Sequence, residues 1–334
     1  MDKRHQVLLN LFLSFVLFAL IFYFVGFGKV LSVLLSAKPE LLLLAALAYL
    51  ALNLVMSYRI LVVLANLGHR LDLYSIFPSN LAGMLASDFT PARAGYFFTA
   101  FSLSSRFKIS LEKTVLSIFG PQLFDFLIKA TSAGLVMFLL LSKAGVENLW
   151  LNLLFLVMIL GSIVAAALLV FYPPLLAALV FLEKLPLVPK IFNFLRTMHQ
   201  HSDSVLAVKW KIIGITLLSW AVKGLEWLLL AHAIGIRLSD DLALEFIFMM
   251  VFQGAVTILQ FLPLPTIAGA GASEAGFAAI LLPFGIPLES SVTFGFLTRL
   301  LMISVDAFSL PVILGYLKTH TLEKSLEGIS EIEQ

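Results

Sequence analysis

The chain has 334 residues, 60% of them hydrophobic and 13% charged, with a formal net charge of +2. At a mean hydropathy of +1.03, with about half the charge of a soluble domain, it cannot hide its apolar surface in a core of its own, and lipid must solvate the rest. So small a net charge argues against a nucleic-acid partner, and the absence of cysteine excludes disulfides, thiolate nucleophiles and Cys-based metal sites.

The elements follow in chain order. A run over 6–27 is long enough to span a bilayer and follows Lys3 and Arg4. No small-residue cleavage site follows it, so it reads as a retained first helix rather than a signal peptide. Five more runs have spanning length: 40–67, 111–142, 149–171, 210–234 and 289–317. Segment 172–208 carries Pro173, Pro174, Pro186 and Pro189 among charges, and is expected to form a cytoplasmic loop with amphipathic helices. His199 and His201 lie in it and match no metal motif; neither a metal nor a cofactor is expected. The region 1–320 reads as one membrane domain, followed by a polar tail over 321–334.

Two apolar segments are interrupted. Residues 73–106 break at Thr90-Pro91-Ala92-Arg93-Ala94-Gly95, and residues 246–284 break at Pro263 to Gly271. Irregular backbone at membrane depth survives only when packed in protein or lining a cavity. Paired breaks in two halves point to a transporter's binding site. The halves, about 40–171 and 210–318, do show weak similarity. Phe107–Phe119 set over Phe284–Phe296 includes Glu112 over Glu289, and Pro91, Ala94 and Gly95 fall on Pro265, Ala268 and Gly269.

Charge sets the topology, since Lys and Arg favour the cytoplasmic side. If both broken segments return to the side they entered, Arg70, Arg106, Lys108, Lys113, Lys184, Lys190 and Lys318 all fall inside, together with both termini. The expected fold is therefore an all-α polytopic membrane protein with about six full spans and two re-entrant helical hairpins in an inverted repeat.

Charges at membrane depth are costly and mark structure or function. The candidates are Arg59, Arg93, Asp125, Lys129, Lys223, Glu226, Glu274, Arg299 and Asp306. Asp125 with Lys129, and Lys223 with Glu226, have the spacing to pair along one helix face. Arg299 and Asp306 are two turns apart and need other partners. Arg93 lies within the first break and Glu274 just past the second. They would either hold an anion such as phosphate, beside the half-helix termini, or bridge one another and lock the hairpins together. No nucleophile motif and no ATP-binding loop is present.

These residues resemble the flippase-like membrane domain of bacterial lysylphosphatidylglycerol synthases, the multiple peptide resistance factors. The resemblance runs through Tyr58-Arg59-Ile60, Pro91-Ala92-Arg93-Ala94-Gly95-Tyr96, Asp125, Ala268-Gly269-Ala270-Gly271-Ala272-Ser273-Glu274 and Arg299, and covers nearly the whole chain. Tyr96 stands where the family usually has Glu, and Ala92 and Ala268 replace glycines. No counterpart of the family's aminoacyl-transfer domain lies in these residues, so a standalone member is expected. The resemblance implies movement of a phospholipid or lipid-linked headgroup between leaflets of the cell membrane, without ATP. Arg93, Glu274, Arg299, Asp125, Arg59, Gly95, Gly269 and Gly271 would form the binding site. An intramembrane transferase or hydrolase with Glu274 as base, and a scaffold for a lipid synthase or glycosyltransferase, are the competing readings. A homodimer is a further association to consider.

Overall fold

In a computed structural model, the description covers residues 19–143, 203–261 and 271–316, with isolated positions elsewhere. Among the described residues every regular element is helical: α1 (Phe27–Leu35), α2 (Pro39–Asn66), α3 (Leu73–Asp88), a 3-10 turn (Pro91–Tyr96), α4 (Phe97–Phe107), α5 (Leu111–Lys143), α6 (Lys209–Ala233), α7 (Leu242–Phe261), α8 (Ala272–Leu281) and α9 (Leu288–Asp306). A short 3-10 turn, Ala307–Ser309, carries α9 on to residue 316. The chain is an all-α polytopic membrane protein.

Among the described residues, four helices are long and apolar enough to cross a membrane: Pro39–Asn66, Leu111–Leu140, Lys209–Ala233 and Leu288–Tyr316. They coincide with four of the six expected spans. The expected span 149–171, the loop 172–208, the tail 321–334 and most of the run 6–27 lie outside the described residues. The short helix α1 was not anticipated. It starts after Gly26, whose φ of 90° permits the sharp turn that a residue with a Cβ resists.

The first interrupted run folds as an antiparallel helical hairpin. Asp72 caps α3 by accepting the Ser75 N–H at 2.6 Å. Across the hairpin Arg106 donates to Ser79 Oγ at 2.8 Å, and Ser102 donates to the same oxygen at 3.0 Å. Nearer the tip, a Cβ on Gly83 would collide with Thr99 Oγ1, and a Cβ on Gly95 with the Ala86 carbonyl group. The partner of each residue thus moves back along α4 as α3 advances, from 79 with 102 to 83 with 99. Both glycines are fixed by this close approach of two backbones.

The second interrupted run gives α7 and α8, with Phe248 and Phe252 of α7 packing on Phe284 just after α8 (centroids 5.9 and 5.2 Å). Its break, 262–270, lies outside the described residues. A helix of spanning length, two shorter helices and a second helix of spanning length therefore occur twice in chain order, as α2, α3–α4, α5 and as α6, α7–α8, α9. The long helices α2 and α6 pack on one another, and α7 packs on α5. The largest core joins Tyr49, Trp227, Phe252, Phe277 and Phe294 from both groups, while the first hairpin packs through Ile76, Tyr96, Ala100 and Leu103 in a second core with Ile60, Val63 and Leu116.

Candidate functional site

The 3-10 turn at the tip of the first hairpin sets the position of Arg93. Pro91 opens the turn, and Thr90 Oγ1 accepts the Gly95 N–H at 2.6 Å. Arg93 itself has a left-handed φ of 54°, an unfavourable backbone state for a residue with a Cβ. That conformation returns its guanidinium to the end of α3, where Nη2 meets Asp88 Oδ1 at 2.9 Å. Asp88 was not among the charges singled out from the sequence.

Glu274 lies in the first turn of α8. Its Oε2 accepts the Gly271 N–H at 2.7 Å and the Ser273 hydroxyl at 2.9 Å, as a carboxylate at a helix N-terminus is suited to do. Its Oε1 takes the Arg299 Nε at 3.0 Å. Arg299 also donates to Ser273 Oγ at 2.7 Å. A Cβ on Gly295 would lie 2.8 Å from Phe277, so this glycine lets α9 press against α8 and bring Arg299 within reach. The direct Arg93–Glu274 bridge considered above is not formed; each residue has a nearer partner. Gly271, at φ 85°, serves the helix cap, Gly95 serves hairpin packing, and Gly269 lies outside the described residues.

Two short-range pairs form as their spacing predicts. Lys129 Nζ meets Asp125 Oδ2 at 2.7 Å, and Lys223 Nζ meets Glu226 Oε1 at 2.8 Å. Asp125 is held further by Trp220 Nε1 at 2.9 Å and Gln122 Nε2 at 3.1 Å. Gln122 links this group to Arg59 by accepting from its Nη2 at 3.0 Å. The other terminal nitrogen of Arg59 donates to Thr216 Oγ1 at 3.2 Å. Arg59 is 3% exposed, and both of these partners are neutral.

These groups surround one cavity of about 100 Å³, room for roughly three waters or a single phosphate group. Arg59, Arg93, Asp125, Lys129 and Lys223 line it, with Tyr49, Tyr96, Gln122 and Trp220. Met56, Met84 and Met302 supply flexible apolar wall. The walls come from both halves of the chain. Three of the four cations have carboxylate partners, namely Asp88, Asp125 and Glu226. Arg59 supplies the remaining positive charge. Tyr96 donates from its hydroxyl to Asn80 Oδ1 at 3.1 Å, and Asn80 in turn donates to Asn53 Oδ1 at 3.2 Å. It ties the turn to α3 and α2 without adding charge.

A smaller gap, of about 10 Å³, separates Asp88 and Arg93 from Ser273 and Arg299. Arg93 lines both this gap and the main cavity, so it stands between the tip of the first hairpin and the start of α8. Of the expected site residues, the structure gathers Arg59, Arg93 and Asp125 around the cavity and puts Glu274 and Arg299 on the far side of that gap. Tyr49, Asp88, Gln122 and Trp220 complete the polar group. Each is a polar residue in an apolar run, the signal by which Asp88 could have been found.

No curated protein matches the chain. The family model for the lysylphosphatidylglycerol synthase transmembrane region matches residues 7–308, and the chain belongs to that family.

Proposed function

We propose that the protein is an ATP-independent lipid translocase, passing an anionic phospholipid or lipid-linked phosphate headgroup between the leaflets of the cell membrane. The observation that supports this reading is the buried cationic cavity, in which the hydrogen-bond partners of Arg59 among the described residues, Thr216 and Gln122, are neutral. A buried guanidinium calls for a counter-charge, and its planar fork matches phosphate oxygens. The cavity has space for a headgroup phosphate but not for acyl chains, which would remain in lipid. Glu274 is a poor candidate for a general base, because both its oxygens already serve Arg299, Gly271 and Ser273.

The test is leaflet exchange of a fluorescent phosphatidylglycerol in liposomes containing the purified protein, read by chemical quenching of the outer leaflet. Exchange well above that of protein-free liposomes is expected. Equal rates in the two preparations would remove the translocase reading.

The hairpins would be re-entrant, with opposed entry sides, in an inverted repeat. The first returns to its starting end, and α3, at 16 residues, is about 24 Å long at 1.5 Å per residue, short of the ~30 Å hydrocarbon core. The doubled order of span, hairpin and span supports the repeat. Both termini would then be cytoplasmic. Single cysteines at Lys108 and Glu289 should label from opposite sides of the membrane; labelling of both from one side would exclude the opposed arrangement.

A further inference from the structure

Asp306 lies at the C-terminal end of α9, fully buried, and no cation among the described residues forms an ion pair with it. Its Oδ2 accepts the Tyr49 hydroxyl at 2.8 Å. Its Oδ1 has no hydrogen-bond partner among the described residues. A carboxylate sealed from water with one donor and one empty oxygen is strongly disfavoured, and a proton on the empty oxygen removes the charge. Every other described acid at this depth, Asp88, Asp125, Glu226 and Glu274, has a cation.

The groups facing Asp306 can be named element by element. From α2 comes Tyr49, whose ring also faces Lys223 Nζ at 5.1 Å from the centroid. From the first hairpin come Asp88 and Arg93, and from α6 comes Lys223. Asp88 also has an oxygen, Oδ2, without a partner. On α8 and α9, Glu274 and Arg299 pair with each other two turns away. The helix α1 contributes only Lys29, which is exposed. Tyr49, Arg93 and Lys223 all line the main cavity, whereas Asp306 stands behind them.

Charge bookkeeping then couples the two places. The cavity and its immediate partners hold four cations and three carboxylates. With Asp306 ionised, the count closes at four against four, and Arg93 and Lys223 are drawn toward α9. With Asp306 neutral, one positive charge is left for a ligand, and a phosphodiester carries one negative charge.

We infer that Asp306 is the proton-binding site of the translocase and that one proton and one anionic lipid phosphate occupy the protein together. This rests on the translocase reading and adds the coupling ion. The proton binds Asp306 Oδ1 while Tyr49 continues to donate to Oδ2; no covalent bond beyond O–H is made or broken. The sign follows: anion binding is favoured at low pH and declines as rising pH removes the proton. Linkage makes the effect reciprocal, so anion binding also draws in a proton.

The experiment uses the full chain in liposomes with fluorescent phosphatidylglycerol and an imposed pH gradient, alongside infrared spectroscopy of the same preparations. In the wild-type protein, lipid should accumulate in the leaflet toward which protons flow. One-for-one co-transport allows up to about tenfold asymmetry per pH unit, since both gradients obey the same logarithmic law. Asp306→Asn mimics the protonated state, so it should still equilibrate lipid but show no gradient dependence, and it should lose a carboxylic-acid C=O band present in wild type. Tyr49→Phe should move the pH profile, and Asp306→Glu should retain coupling. Absence of the Asp306-dependent band overturns the proton site whether or not lipid moves. The band with gradient-independent lipid movement overturns the coupling while leaving the translocase reading intact. No lipid movement under any gradient overturns the translocase reading and the coupling with it, even if the band is present.

Discussion

Arg59→Gln is expected to lower the rate of anionic-lipid exchange about 10–100-fold, the loss of one or two charge-assisted hydrogen bonds at about 1.5–3 kcal/mol in all. Arg59 is the cleanest cation to remove. Its side chain donates to Thr216 and Gln122, so its loss strands no carboxylate, and glutamine can still hydrogen-bond to its neutral neighbours. Arg93→Ala should be at least as damaging to exchange, but less simple to interpret. It frees Asp88 from its 2.9 Å partner, placing an unpaired negative charge beside the cavity, and it removes the residue that separates the cavity from the gap to Ser273 and Arg299. Arg59→Lys should fall between wild type and Arg59→Gln, because it keeps the charge but not the two-pronged geometry. The measurement is initial exchange rate against lipid fraction, with folded protein verified by its elution as a single species. A wild-type rate for Arg59→Gln at limiting lipid would show that no phosphate rests on this side chain.

The parts of this arrangement legible in the sequence were those encoded over short distances. Four spans emerged from their unbroken apolar runs, because lipid imposes a minimum length on any crossing helix. The first hairpin emerged because Pro91 and Gly95 break a run where a break must be sheltered. The Asp125–Lys129 and Lys223–Glu226 pairs emerged because helix geometry sets neighbours three and four residues apart. Contacts between helices have no such rule. Nothing local says that Glu274 meets Arg299 twenty-five residues on, or that Tyr49 meets Asp306 across 257 residues. Arg93 lies within one break and Glu274 just past the other, and buried charges need partners of opposite sign, so a direct bridge was one expectation. The left-handed backbone at Arg93 turns its side chain back to Asp88 instead. The roles of the glycines shifted for the same reason. Gly95 is needed where Ala86 approaches, and Gly271 where α8 begins; neither position could be separated from a ligand-binding role until the opposing backbone was known.

Glu274→Ala is expected to be the most destabilising of the single substitutions at the site, by about 3–5 kcal/mol, the range found when one partner of a buried ion pair is removed. Three donors lose their acceptor together: the Arg299 Nε, the Gly271 N–H and the Ser273 hydroxyl. The guanidinium suffers most, since Gly295 holds α9 so close to α8 that Arg299 has little freedom to swing toward water. If that stranded charge is the main cost, then removing it should return part of the loss. The double variant Glu274→Ala, Arg299→Met should be more stable than Glu274→Ala alone, because a double-mutant cycle isolates the pair from the helix cap. Denaturant titration of the purified protein in mixed micelles measures all four corners. A double variant that loses the sum of the two single losses would mean that the pair contributes nothing as a pair, leaving the capping of α8 as the whole reason for Glu274. A recovery, by contrast, would identify the Arg299–Glu274 bridge as the clamp that holds the start of α8 across the gap from Arg93, the relation on which the shape of the headgroup cavity depends.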